Sequence, residues 1–416
     1  MTIELGLGRI GHLLEHTKLP WKAIHVAGTN GKGSICAYIS AMLYAADVRC
    51  GRFTSPHLID RWDCIAINQQ VVRKAVFQEV ESHVKQRNAK NGIGASEFET
   101  LTATAFEIFN QENVEVGVVE VGLGGRLDAT NVLQNTAVTV ISKIGYDHQS
   151  LLGNSLEEIA YQKAGIMRRG VPCVVDNTNE PGVLDVLDRY AKEISAGSLI
   201  KVPQYGTHDS RLRDFLAKNS LEPHQRVNLH CAFEAVKEAL RHLHPQQNPL
   251  DLLQAAVEAP WRGRLQKQSI ESLTGRKEDV LVDGAHNGQS AAILGSYVND
   301  KLRHGAQCVT WVLAASRGKD LKELLHPLVR NGDNVVAVEF GPVDGMPWVQ
   351  PASSGEILDM LRRGQELGEH FDAGVNVLDA LQWSSKTANG GPLVVAGSLY
   401  LVSDVLRVLR DAGDGA

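Results

Sequence analysis

Chemistry is concentrated in a few short runs of this 416-residue chain. In Val26-Ala27-Gly28-Thr29-Asn30-Gly31-Lys32-Gly33-Ser34, three glycines, a lysine and a hydroxyl follow an apolar run and precede a helical pattern. That order suits an anion. Glycines let backbone N–H groups approach a phosphate, the helix N-terminus adds the positive end of its dipole, Lys32 supplies a point charge, and Ser34 offers a hydroxyl to Mg²⁺. The spacing departs from the common phosphate loop, where Ser or Thr directly follows Gly-Lys, because Gly33 intervenes. Glu120 ends a β-branched run, a place from which an acid can hold Mg²⁺ directly or through water, or simply close a turn. His148, after Gly145-Tyr146-Asp147 at the end of the next apolar run, is a candidate metal ligand or phosphate contact. Lys163 stands beside Ala164 and Gly165 in the middle of a helical pattern, where a lysine ordinarily lies on a solvated face. Gly122-Leu123-Gly124-Gly125 imitates a dinucleotide fingerprint but has Leu127 where the third glycine belongs. Asp283-Gly284-Ala285-His286-Asn287-Gly288 gathers carboxylate, imidazole and amide after a strand, where Asn and Gly also serve ordinary turn geometry. His25 reads as a core histidine, and His242 and His244 lack a third partner for a metal site.

The elements that must position these groups follow from periodicity. Residues 23–27 predict a buried strand and 35–43 an amphipathic helix; 114–121 and 137–144 predict strands buried on both faces. The phosphate loop, Glu120 and His148 then converge as three polar strand ends of a doubly wound sheet, where such sheets bind ligands. Helices are expected at 5–14, 75–84, 98–109, 156–167 and 226–243, a strand at 171–175, and a loop leaving a strand at 52–58. Residues 87–96 read as exposed and residues 180–222 as a polar, loop-rich excursion. Pro260-Trp261-Arg262-Gly263-Arg264 reads as a boundary. Beyond it, strands at 280–282, 308–313, 335–340 and 393–396 alternate with helices at 290–298, 321–329, 357–363 and 399–409. This second α/β domain has no glycine-rich loop of its own and suits an acceptor substrate, or closure over a nucleotide.

Composition narrows the function. Hydrophobic residues make up 43% of the chain and charged ones 22%, enough for two globular cores without staples. A net charge of -6 argues against nucleic acid or an anionic membrane as partner. Cys36, Cys50, Cys64, Cys173, Cys231 and Cys308 are scattered singly, which points to reduced thiols rather than disulfides or zinc. The first sixteen residues show neither a signal nor an Arg/Ser-rich transit pattern, and no run has the apolar length to span a bilayer. The expected compartment is the cytoplasm, with a mitochondrial location left open.

Taken in order, Gly28 to Ser34, Thr54-Ser55-Pro56-His57-Leu58, Glu120 to Asn131, Asp147-His148, Lys163-Ala164-Gly165-Ile166, Asp283 to Asn287 and Gly397-Ser398-Leu399-Tyr400 resemble the signature set of the folylpolyglutamate synthase and dihydrofolate synthase family, a branch of the Mur ligases. The resemblance implies a Mur-ligase-type P-loop ATPase domain (residues 1–265) and a smaller Rossmann-like α/β domain (residues 266–416). It implies an ATP-dependent amide ligase, acting as a monomer, that activates a carboxylate as an acyl phosphate for attack by L-glutamate. Gly28, Thr29, Asn30, Gly31, Lys32, Gly33 and Ser34 would hold ATP, with Asn228, Arg264, Asp283 and His286. Ser34, Ser55 and Glu120 would hold a first Mg²⁺ and His148 a second, joined by Lys163, which is carbamylated in many members and so becomes an anionic ligand. Asp128 and Ala129 match residues lining the pterin site, and Lys32, Lys163 and His286 are the expected catalytic set.

Asn287-Gly288, Gly345-Met346-Pro347-Trp348 and Ser142-Lys143-Ile144 look most like the fungal dihydrofolate synthases, which add one glutamate to 7,8-dihydropteroate. The alternative in the family is a folylpolyglutamate synthase, whose acceptor already carries glutamate. Arg262 in place of the proline of Trp-Pro-Gly-Arg, Asp63-Cys64 in place of Glu-Arg, and a short 179–225 segment would also suit a paralogue acting on another carboxylate. A non-catalytic nucleotide-binding regulator or a switch hydrolase belongs to a different class. The combination of Lys163, His148 and Glu120 speaks against the pure binder, which has no evident need for a second metal site; phosphate release without acid and amine would mark the switch hydrolase.

Overall fold

The computed structural model describes residues 5–204, 207, 209–303 and 308–413; the side chain of His242, and with it the expectation about His242 and His244, lies outside them. The chain forms two compact units, one of Met1–His57 and Trp62–Pro260, the other of Leu58–Arg61 and Trp261–Ala416.

The first unit is built on the strands β1 (Lys22–Ala27), β2 (Cys50–Phe53), β3 (Ile65–Ile67), β4 (Gln70–Val71), β5 (Val116–Glu120), β6 (Thr136–Ile141), β7 (Cys173–Asp176) and β8 (Leu199–Val202). They form one sheet in the order β4-β3-β2-β5-β1-β6-β7-β8, parallel except for the antiparallel edge of β3 and β4. Its helices are α1 (Gly8–Leu13), α2 (Lys32–Ala45), α3 (Lys74–Lys90), α4 (Glu97–Gln111), α5 (Gln149–Leu152), α6 (Leu156–Ala164), α7 (Pro181–Glu193), α8 (Ser210–Lys218), α9 (Pro223–Leu243) and α10 (Leu253–Glu258).

Alternation along β1 explains the layering. Ile24 and Val26 face a core shared with α2, α9 and α10. Ala23 faces the opposite core, with α1, α3 and α4, and Ala27 a third cluster with α6 and α7. With both faces covered, β5, β6 and β7 are apolar at nearly every position. The crossover places β1 between β5 and β6, so the phosphate loop, Glu120 and the segment leading to His148 leave the same edge of the sheet.

The structure departs from the sequence expectations in specific places. α2 starts at Lys32, and residues 35–43 are buried all round rather than amphipathic, because the helix lies between the sheet and the pair α9 and α10. α3 runs on past residue 84 to Lys90, while residues 87–96 are exposed or half-buried, as expected. α6 stops at Ala164 with Gly165 as its C-cap, which puts Lys163 in the last turn instead of mid-helix. Residues 180–222 are not a loop-rich excursion: α7 buries Val183, Val186, Leu187 and Ala191 along one stripe, β8 extends the sheet, and α8 follows.

The second unit carries β9 (Gln266–Gln268), β10 (Val280–Val282), β11 (Thr310–Leu313), β12 (Asn334–Ala337), β13 (His370–Asp372) and β14 (Leu393–Ala396), in the order β13-β12-β11-β14-β10-β9. Only β9 runs antiparallel to its neighbour. Its helices are α11 (Glu271–Thr274), α12 (Gly288–Lys301), α13 (Leu321–Leu325), α14 (Ser354–Gly364), α15 (Val377–Ala388) and α16 (Leu399–Asp411). β9, β13 and α15 were not anticipated; the two strands are three residues each and largely polar. At the heart of this unit Asp333 is fully buried and accepts from Arg303, the Trp311 indole and the backbone N–H groups of Val309 and Arg330.

Candidate active site

The phosphate loop takes its shape from its glycines. Gly28 and Gly31 have φ of 149° and 89°, the left-handed side that other residues avoid. A Cβ on Gly28 would run into the Ser142 hydroxyl, and one on Gly31 would meet Asn228 Oδ1 at 2.5 Å. The loop is zipped to the end of β6: Thr29 N and Asn30 N donate to the Lys143 carbonyl at 2.8 and 3.0 Å, the Ser142 hydroxyl donates to Asn30 O at 2.8 Å, and Gly145 N donates to Thr29 Oγ1. Asn179 braces that segment in turn, accepting from Ile144 N at 2.7 Å. Of these supports, Thr29 was among the sequence candidates and Ser142 and Lys143 appeared only in a family pattern. Asn179 was missed, since an amide at a loop start gives no signal of its own.

Glu120, at the C-terminal end of β5, is 5% exposed and lies 3.7 Å from Lys32 Nζ. Lys32 also donates to the Thr29 carbonyl at 3.2 Å, and Ser55 N donates to Glu120 Oε2 at 3.3 Å. Ser55, Glu120, Lys32 and the loop are therefore one neighbourhood. His148 sits in the left-handed region at φ 51° as the N-cap of α5, with its Nε2 3.8 Å from Asp147 Oδ1.

Lys163 is not on a solvated face. It is 4% exposed and donates to the Gly28 carbonyl at 2.7 Å. Burial pulls its pKa down to about 7, the Lys32 charge adds to that, and Asp147 and Asp128 oppose it. Burial here favours the neutral amine over the cation.

The loop that follows Glu120 is closed by Asp128, 2% exposed, whose carboxylate accepts from Leu123 N at 2.8 Å, Thr130 N at 3.0 Å and the Thr130 hydroxyl at 2.5 Å. Burial raises the Asp128 pKa, and these donors pull it back. Ala129 is also buried, whereas Leu127 is 42% exposed. Arg126 N donates to Gln162 O, and Asn131 Nδ2 to Gly165 O, so the loop is fastened to α6 near Lys163.

In the second unit, Asp283 is buried and accepts from Leu265 N and Ala285 N at 2.8 Å each. Burial raises its pKa and the nearby Arg264 guanidinium opposes the rise. Arg264 donates to the Gly263 carbonyl at 2.9 Å. His286 Nδ1 lies 2.8 Å from Gly284 O, and since a carbonyl only accepts, Nδ1 carries the proton. Among the departures noted in the sequence, Arg262 is exposed and Cys64 is buried in the core with α3 and α4.

The donor set fits a nucleoside triphosphate with Mg²⁺. The loop is a cradle that a Cβ would fill, with a cation at its mouth. Among the described residues no group of three or more His, Cys, Asp or Glu could cage a metal. Mg²⁺ characteristically binds through one or two carboxylates plus phosphate oxygens and water, which is what Glu120 beside a phosphate loop offers. No helix among the described residues is long and apolar enough to cross a membrane.

Comparison with known proteins agrees with this chemistry. Residues 266–408 match the family described as dihydrofolate synthetase, C-terminal domain. The chain is 37% identical to a probable dihydrofolate synthetase of Schizosaccharomyces pombe, over 99% of each, and 37% identical to the dihydrofolate synthetase of Saccharomyces cerevisiae, over 98% of each. A solved bifunctional folylpolyglutamate synthase/dihydrofolate synthase with Mn, AMPPNP and L-glutamate bound superposes with a TM-score of 0.78 at 26% identity, over 98% of this chain and 95% of that one.

Proposed function

The chain belongs to the folylpolyglutamate synthase and dihydrofolate synthase family, and on that premise we propose that it is a dihydrofolate synthase. It joins one L-glutamate to 7,8-dihydropteroate, using ATP to activate the pteroate carboxyl. A carboxylate oxygen attacks the γ-phosphorus and ADP leaves. The glutamate nitrogen then attacks the acyl carbon, losing a proton, and phosphate departs. The functional division is residues 1–265 for ATP and residues 266–416 for the glutamate-ligase domain.

The observation that carries the reading is the grouping of Lys32, Glu120 and Lys163 around one loop, with Lys32 Nζ 3.7 Å from Glu120 and Lys163 Nζ 2.7 Å from the Gly28 carbonyl. Gly28 to Ser34 seat the phosphates through backbone N–H groups, and Lys32 holds charge on the outer ones. Asn228, whose side chain lies against Gly31, is a further ATP contact by the family resemblance. Ser34, Ser55 and Glu120 would hold one Mg²⁺, and His148 and Lys163 a second, which would supply charge neutralisation to phosphoryl transfer. Lys163 would join that set as a carbamate: the ammonium gives up one proton, the neutral amine attacks CO₂ and a second proton leaves, so that a buried cation becomes an anion. Its pKa of about 7 supports this, because only the neutral amine reacts. The family resemblance adds Arg264, Asp283 and His286 as ATP contacts and Asp128 and Ala129 as the acid-substrate loop.

The enzyme works as a cytoplasmic monomer on small molecules. Six free cysteines, five of them buried, support a reducing compartment. Phosphate release tests the class of activity. A ligase releases phosphate efficiently only when acid and L-glutamate are both present, whereas release from Mg-ATP alone would mark a switch hydrolase.

A further inference from the structure

His25 is fully buried in the middle of the central strand β1, where an apolar residue would pack at no polar cost. It faces the same side of the sheet as Ala23 and Ala27. Its Nε2 lies 2.8 Å from Thr130 Oγ1, and its Nδ1 has no hydrogen-bond partner among the described residues. One ring nitrogen is thus committed to a single contact 105 residues away in sequence, and the other is left without one.

Proton counting gives that contact a direction. Both Asp128 oxygens receive backbone N–H groups, from Thr130 and Leu123, an arrangement that favours the carboxylate. The Thr130 hydroxyl has one proton, and at 2.5 Å it gives that proton to Asp128 Oδ1. Its oxygen is then left to accept, so Nε2 of the neutral imidazole carries the hydrogen and Nδ1 the lone pair. The chain runs His25 Nε2–H to Thr130 Oγ1–H to Asp128. Asp128 in turn joins Leu123 near the start of the loop to Thr130 near its end.

We infer that His25 and Thr130 are positioning residues that fix loop 121–131, through Asp128, in the shape that receives the acid substrate. Asp128 acts through the loop it closes, since its carboxylate faces inward at 2% exposure, and what the loop offers outward is the exposed pair Arg126 and Leu127. The strand that ends in the phosphate loop therefore also sets the acid-substrate loop from its middle. Assigning the loop to the acid substrate rests on the proposed function; the clamp itself does not.

The test uses the full-length protein with Thr130→Val, Thr130→Ser and His25→Phe. Thr130→Val keeps the shape and removes the hydroxyl. It is expected to raise KM for 7,8-dihydropteroate about tenfold, with KM for Mg-ATP unchanged, as loss of a hydrogen bond to a buried carboxylate predicts. Thr130→Ser restores the wild-type value, and His25→Phe reproduces the valine effect. Hydrogen exchange gives a readout independent of turnover: the Leu123 and Thr130 amides lose protection about tenfold in Thr130→Val, while β1 amides keep theirs. Unchanged protection of those two amides overturns the clamp. Equal rises in KM for acid and ATP overturn its link to the acid substrate. A wild-type protein inert toward dihydropteroate overturns the proposed function instead, and exchange still decides the clamp.

Discussion

Lys163 Nζ lies 2.7 Å from the carbonyl oxygen of Gly28, a buried contact between the last turn of α6 and the first glycine of the phosphate loop. An unmodified lysine there is desolvated and sits near a second cation, Lys32. Carbamylation would turn the repulsion from Lys32 into attraction. With ¹³C-bicarbonate, the wild-type protein should show one slowly exchanging carbamate resonance that Lys163→Ala lacks. Lys163→Ala should lose at least about a hundredfold in ligation, the scale set by removing charge stabilisation from a transferred phosphoryl group, with an unchanged circular dichroism spectrum. Equal turnover in the two proteins would remove Lys163 from the machinery.

Glu120 and Ser34 should separate in their metal dependence. Glu120→Gln removes the buried charge 3.7 Å from Lys32 and should lower kcat about a hundredfold. Ser34→Ala should chiefly raise the Mg²⁺ concentration needed for half-maximal rate, by about tenfold, as expected when one neutral oxygen ligand is lost. Magnesium titrations of initial rate distinguish the two.

Acid should weaken the fold through His25. Burial, and to a lesser degree the Arg168 charge, lowers its folded pKa to about 3 from an unfolded 6.5. Above pH 6.5 the ring is neutral in both states and contributes no pH dependence. Below it the unfolded chain binds a proton that the folded one refuses, so stability falls as pH drops toward 3. Between pH 7 and pH 4 this amounts to about 3 kcal/mol. Denaturant melts at the two pH values should show a difference smaller by that amount in His25→Phe; an equal difference would refute the assignment.

Asp333 should dominate the stability of the second unit. It is fully buried and accepts two hydrogen bonds from the Arg303 guanidinium and three from the Trp311 indole and the Val309 and Arg330 amides, so Asp333→Ala leaves a buried cation and three N–H groups without their acceptor. Loss of one partner from a buried pair costs about 3–5 kcal/mol. Guanidinium unfolding followed by tryptophan fluorescence and circular dichroism measures it.

How much of this was legible beforehand depended on length and burial. β1 announces itself as an apolar run and β5 and β6 as β-branched ones, and the groups at their ends follow from strand order. α7 was hidden because polar residues outnumber the stripe of Val183, Val186, Leu187 and Ala191 that decides its fold. β9 and β13 are too short and too polar to leave a period-2 signal. Lys163 was singled out by its neighbours Ala164 and Gly165, but its burial depends on the tertiary approach of Gly28, 135 residues earlier. The His25–Thr130–Asp128 chain was illegible for the same reason: Asp128 was singled out by the family resemblance, but its link through Thr130 to His25 depends on tertiary approach.

The central claim is tested most directly by product mass. The protein is supplied with Mg-ATP, L-glutamate and either 7,8-dihydropteroate or tetrahydrofolate, and products are weighed after equal ATP consumption. A single glutamate adduct of dihydropteroate, with little conversion of tetrahydrofolate, is the predicted result. Extension of tetrahydrofolate by several glutamates, or no adduct of either acid from a folded protein that still binds Mg-ATP, would contradict it.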